Sequence, residues 1–184
     1  MLQYVLDRGL PAVALCVSVT FGPRDWAPTP HGAMLDAVAR GRMPFYVEGA
    51  GWEVVGIEDA ARALILAGER GRIGERYIVS DRFMTARDLF GVAADAGGVR
   101  PPRVGIPLGV MYAAGRAVDV AARLVRRDLV LTTLSVRLMH TMTPLDHTKA
   151  ERELGWRPTP TEDSIRNAIA FYAQRTMPPG RRSF

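Results

Sequence analysis

The sequence is poor in three residue types that carry much protein chemistry: it has one cysteine, Cys16, one lysine, Lys149, and three histidines among 184 residues. A single thiol excludes an internal disulfide framework, and so few Cys and His donors fall short of a structural zinc site. No metal site is expected, and a reducing cytoplasm is the setting that this cysteine usage suggests. Long apolar runs are also missing, since a spanning helix needs about 20 uncharged apolar residues. The best candidate, residues 104–125, carries Arg116, Asp119 and Arg123 and reads as a long amphipathic helix. Asp7 and Arg8 fall where a signal peptide would need its apolar stretch, so secretion is not expected.

What is present is an ordinary globular composition. Hydrophobic residues make up 48% and charged residues 23%, which fits neither a disordered nor a collagen-like chain. The length is that of one domain able to bury about 70% of its unfolded surface. The net charge of +5 invites a nucleic-acid reading. All but one of the basic residues are arginines, and they are scattered through the chain instead of forming a stripe, so no nucleic-acid partner is expected.

Along the chain, residues 1–8 read as the end of a helix closed by Gly9 and Pro11. Residues 12–19 form a valine-rich apolar run, as expected of a strand buried on both faces of a mostly parallel sheet. A Pro- and Gly-rich loop over 21–32 precedes a helix over 33–42. Strands are expected at 46–47 and 52–57 around a Gly49–Gly51 turn, then a helix over 60–69 with Asp59 as its N-cap. A strand at 77–80 follows, then a helix to Ala96 capped by Thr85. Pro107 opens the long helix to about 126, and Thr161 caps a last helix to about 174. Residues 1–176 are taken as the folded unit and 177–184 as a disordered tail. About four strands for this many helices is few for an α/β sheet.

Four stretches carry a resemblance: GLPAVALCVSVTFGPRDWAPTP over 9–30, ARGRMPFYVE over 39–48, ERGRIGERYIVS over 69–80 and LDHTKAERELGWRPTP over 145–160. They resemble the C-terminal half of extended short-chain dehydrogenases, the NAD-dependent epimerase/dehydratase family. The nearest branch is that of hopanoid-associated sugar epimerases, beside dihydroflavonol-reductase-like proteins. The resemblance implies an α/β fold: the C-terminal part of a Rossmann-type enzyme, with its last sheet strands and a small substrate-binding subdomain. The family uses NAD or NADP, held by a GxxGxxG loop, and a Tyr-x-x-x-Lys pair for proton transfer. Neither is expected here. The five tyrosines are followed four positions later by Arg8, Ala50, Asp81, Arg116 and Thr176. No catalytic residue is therefore assigned.

What the resemblance leaves to this chain is the substrate side. Ser18 matches the segment that lies against the nicotinamide in the family, although Cys16 and Val17 stand where Asn and Pro are usual. Its alternative role is to end a strand. Phe21, Gly22, Pro23, Arg24 and Asp25 match the loop that shapes the sugar pocket. Pro23 fixes one dihedral and Gly22 frees another, so the loop is rigid, and Arg24 offers a planar fork to phosphate or carboxylate. A solvated Arg24–Asp25 pair is the competing account. Arg103, with Arg100 nearby, is a candidate for a sugar or nucleotide phosphate. His31 lies in the Pro-rich loop, and Met139 and Met142 near His140 are candidates for an apolar wall. Asp59, Asp146 and Trp156 read as structural. The expected partners are a sugar nucleotide or related small molecule, and a complementary N-terminal half or a second copy. A non-catalytic binding module derived from the family is the other reading.

Overall fold

The computed structural model describes residues 2–113, 116 and 143–175. In chain order it contains α1 (Leu2–Leu6), β1 (Ala14–Val17), β2 (Val19–Phe21), α2 (Pro30–Ala39), β3 (Phe45–Val47) and β4 (Gly51–Gly56). Then come α3 (Ile57–Arg70), β5 (Arg76–Val79), β6 (Arg82–Thr85), α4 (Ala86–Ala96), β7 (Val104–Ile106), α5 (Thr148–Leu154) and α6 (Thr161–Gln174). Residues 108–113 are helical, as expected after Pro107. The remainder of that helix, Met139, His140, Met142 and the tail over 177–184 lie outside the described residues.

Three small sheets result. β1 pairs parallel with β5, β3 parallel with β7, and β4 lies between β2, to which it is parallel, and β6, to which it is antiparallel. β1 and β2 are one extended run that changes partner at Ser18, whose N–H still bonds Val79. β4 is buried along its whole length because it divides two cores. Trp52 and Val54 face the core closed by α2, α4 and α6, whereas Val55 faces that of α3, α5 and β5. Burying each such valine contributes about 1.5–3 kcal/mol.

Several expectations need correction. The described residues hold seven strands instead of about four, because the run read as one strand over 12–19 divides into β1 and β2, and β6 and β7 were not anticipated. β6 reads Arg-Phe-Met-Thr directly beside a helix cap, with too short an alternation to announce a strand. The first strand is not covered on both faces: Cys16 and Val17 are exposed. Helix α2 starts three residues earlier than read, since Pro30 takes the first helical position and Thr29 caps it. Asp59 is no N-cap either, because α3 begins at Ile57 and Asp59 lies inside its first turn. Thr161 is the first residue of α6, whose N-terminus is capped by Asp81: the Asp81 carboxylate accepts from Thr161 N–H and its hydroxyl, both at 2.9 Å. Thr85 does cap α4, and Trp156 packs 1% exposed behind the left-handed Gly155.

Candidate functional site

The β1–β2 run meets two cavities, one at its C-terminal end and one beside the junction of its two strands. The first, about 180 Å³, is lined by Phe21, Gly22, Pro23, Arg24 and Asp25, closed by Ile57 and Tyr172. All five residues of the loop singled out in the sequence thus converge on one space. Asp25 organises it: one carboxylate oxygen accepts from Thr29 N–H at 2.9 Å, from the Thr29 hydroxyl at 3.2 Å and from the Tyr172 hydroxyl at 2.7 Å. Burial, reinforced by Asp25, holds the Tyr172 phenol well above its ordinary pKa, so it remains a donor. With Asp25 committed to these donors, Arg24 projects exposed from a backbone with φ of 71°. Such a conformation costs a non-glycine residue about 1 kcal/mol or more.

The approach is close enough to explain two glycines. A Cβ on Gly22 would stand 2.2 Å from Ile57 Cγ2, and one on Gly32 would stand 2.3 Å from both Asp25 Oδ2 and the Tyr172 hydroxyl.

The second cavity, about 350 Å³, is lined by Cys16, Ser18, Glu53, Thr143 and Leu145 together with Val17 and Val19. Ser18 Oγ is buried there without a hydrogen-bond partner among the described residues. The register that sets Val19 against Val54 brings Ser18 beside Glu53. Glu53 is 3% exposed, accepts from Leu145 N–H at 2.8 Å and also accepts the Ser80 hydroxyl. Sequence reasoning missed this carboxylate. In an alternating Gly-Trp-Glu-Val-Val-Gly strand, a Glu is the residue expected to face water.

The other candidates fall elsewhere. Arg103 and Arg100 are exposed, and neither lines a cavity described here. His31 lies in the first turn of α2 with its ring 5.9 Å from that of Trp52, and burial lowers its pKa, so it is neutral at pH 7. Among the described residues no cluster of metal-ligating side chains occurs, and no helix is long and apolar enough to cross a membrane.

Parallel strands that end in ligand-sized cavities, with a helix crossing over from β4 to β5, define the Rossmann-like fold of extended short-chain dehydrogenases. No protein-family model matches the chain. Sterol demethylase protein B of Methylococcus capsulatus is 30% identical over 172 residues, 92% of this chain and 52% of that protein. The crystal structure of gox2253 superposes with a TM-score of 0.79 at 34% identity, covering 94% of this chain and 52% of that one. A nucleoside-diphosphate-sugar epimerase from Pseudomonas aeruginosa gives a TM-score of 0.72 at 30% identity, over 91% and 50%. These relatives and structure neighbours are of the NAD-dependent epimerase/dehydratase kind, and the chain is similar to one half of them. It spans about half the length of the relatives it matches.

Solved structures of this fold hold NAD or NADPH. A GxxGxxG string does occur here, contrary to the expectation from sequence, at Gly68, Gly71 and Gly74. It closes α3 and leads into β5, the reverse of the strand-to-helix order that points N–H groups at a pyrophosphate. Its glycines have local reasons instead. A Cβ on Gly71 would meet the Ala67 carbonyl at 2.4 Å and Val13 at 3.0 Å, and Gly74 has φ of 86°. The described residues therefore do not fit the cofactor's pyrophosphate.

Proposed function

We propose that this chain is the C-terminal, substrate-side portion of an NAD(P)-dependent nucleotide-sugar epimerase, dehydratase or reductase, acting on a hydroxyl/ketone pair. Residues 1–176 form its folded unit. The observation that carries this reading is the convergence of Phe21, Gly22, Pro23, Arg24 and Asp25 on one cavity, with Ser18 on another at the junction of β1 and β2. Arg24 is the phosphate ligand, presented by a strained turn and left exposed because Asp25 is bonded to Thr29 and Tyr172. Arg103 serves the substrate only if the ligand reaches beyond the first cavity.

Hydride and proton transfer need groups that this sequence lacks in the required arrangement, so the chain supplies binding and not chemistry. A complementary half or a second copy contributes the rest. β1 pairs with β5 alone among the described strands and leaves Cys16 and Val17 exposed, an edge that a further parallel strand fits.

The test is a calorimetric titration with UDP-glucose of the wild type and of Arg24→Ala. We expect measurable binding that weakens at least tenfold in the variant. Absence of binding at millimolar ligand, or equal affinity in both proteins, would refute the reading.

A further inference from the structure

The second cavity has a floor unlike that of an apolar pocket. Ser18, at the junction of β1 and β2, stands beside Glu53 of the neighbouring parallel strand, the hydroxyl buried with no partner among the described residues, the carboxylate 3% exposed. Both described partners of Glu53 are neutral donors, the Leu145 N–H and the Ser80 hydroxyl. The carboxylate thus lies at the wall of a space of about 350 Å³ with its charge uncancelled by either partner. A buried polar group without a partner is rare, and water or a ligand is the usual explanation. A group carrying O–H or N–H bonds satisfies both residues at once. A carboxylate accepts from Ser18 but cannot donate to Glu53, and in a space of reduced dielectric the like charges repel strongly.

We propose that this cavity selects its occupant by charge, admitting an uncharged hydroxyl- or amide-bearing group and excluding a carboxylate, with Glu53 as the specificity-determining residue. Resting on the reading of a sugar substrate, this selects a neutral hexose over a hexuronic acid.

Cys16, the only thiol in the chain, lines the same cavity and makes the test independent of any nucleotide sugar. The 184-residue chain is alkylated with iodoacetamide, which is neutral, and with iodoacetate, which is anionic. The ratio of rates is normalised to that of glutathione. The net charge of +5 would by itself favour the anion, so discrimination against it must be local. We expect the neutral reagent to be favoured at least tenfold, and Glu53→Gln to bring the ratio within about twofold of the glutathione value. Gln retains an acceptor for Leu145 at nearly the same volume.

Should that variant not fold, the wild type still decides. A cationic haloethylammonium reagent should react fastest, the neutral one next and the anion slowest, each relative to glutathione. Equal normalised rates for iodoacetamide and iodoacetate, or discrimination that survives in folded Glu53→Gln, would overturn the proposal. Failure of UDP-glucose to bind would instead count against the function proposed above and leave the alkylation result intact.

Discussion

Asp59 shows how a residue can be recognised as important and given the wrong partner. Asp followed by an apolar-periodic segment is a local cap signature, and local spacing is all that a sequence displays. In the folded chain its carboxylate accepts from Thr159 N–H at 2.9 Å and from the Thr159 hydroxyl at 2.7 Å, while its carbonyl takes the Trp156 indole N–H at 2.9 Å. With Asp59 1% exposed, its loss strands two donors. Asp59→Ala should therefore destabilise by about 2–4 kcal/mol, read as a shift of the urea midpoint at unchanged slope; a shift below about 0.5 kcal/mol, the usual surface effect, would show that the clasp contributes nothing. Gly32→Ala tests the first cavity in the same way. The added methyl must displace Asp25 or Tyr172, and overpacking of this kind costs about 1–3 kcal/mol. The Gly22–Asp25 loop was legible because Gly-Pro turn chemistry is local. Glu53 was not, because its burial depends on a segment some ninety positions away.

Among the elements, α5 is fastened by charge. Arg72 above all, with the Tyr77 hydroxyl and Arg152, holds the Glu153 carboxyl down at about 2, and Lys149 lowers that of Glu75. A carboxyl whose folded pKa lies below its unfolded value stabilises the fold above the unfolded pKa and loses that contribution as pH falls through the folded one. The tether of α5 is thus complete above about pH 4.5 and is lost on the way to about pH 2. Hydrogen exchange of residues 148–154 should accelerate across that window, and Glu153→Gln should remove most of the pH dependence; an unchanged acid profile in the variant would contradict it. Helix α4 was readable because its Thr85 cap, its periodicity and its closing glycine agree, and α6 because of its periodicity, although its cap is Asp81 and not Thr161. Strands β6 and β7 were not: each has three or four residues, and their pairing partners, not their composition, make them strands.

For the molecule as a whole, the resemblance and the α/β class were legible, since four stretches of local sequence carry both. The division into two cores about β4 was not, because only tertiary packing sets one valine against α6 and the next against α3. The exposed edge at Cys16 and Val17 makes the isolated chain prone to association. Size-exclusion chromatography should show more than a monomer. A monomer that melts cooperatively above about 60 °C, the upper range for mesophile domains, would disprove this. NADH should bind more weakly than about 1 mM, because the helix-to-strand order of Gly68–Gly74 offers no pyrophosphate cradle; micromolar affinity by calorimetry would overturn that.

The change of partner at Ser18 also orders events in time. Val19 faces Val54, whereas Ala14 faces Arg76, so the second half of one strand run closes a much shorter loop than the first, and shorter loops close at lower entropic cost. On a ribosome adding about 5–20 residues per second, the valine-rich segment emerges several seconds before β5 exists. Throughout that interval its first half, β1, waits for the one partner it has among the described strands, and an apolar strand in that condition is the kind of segment that chaperones hold.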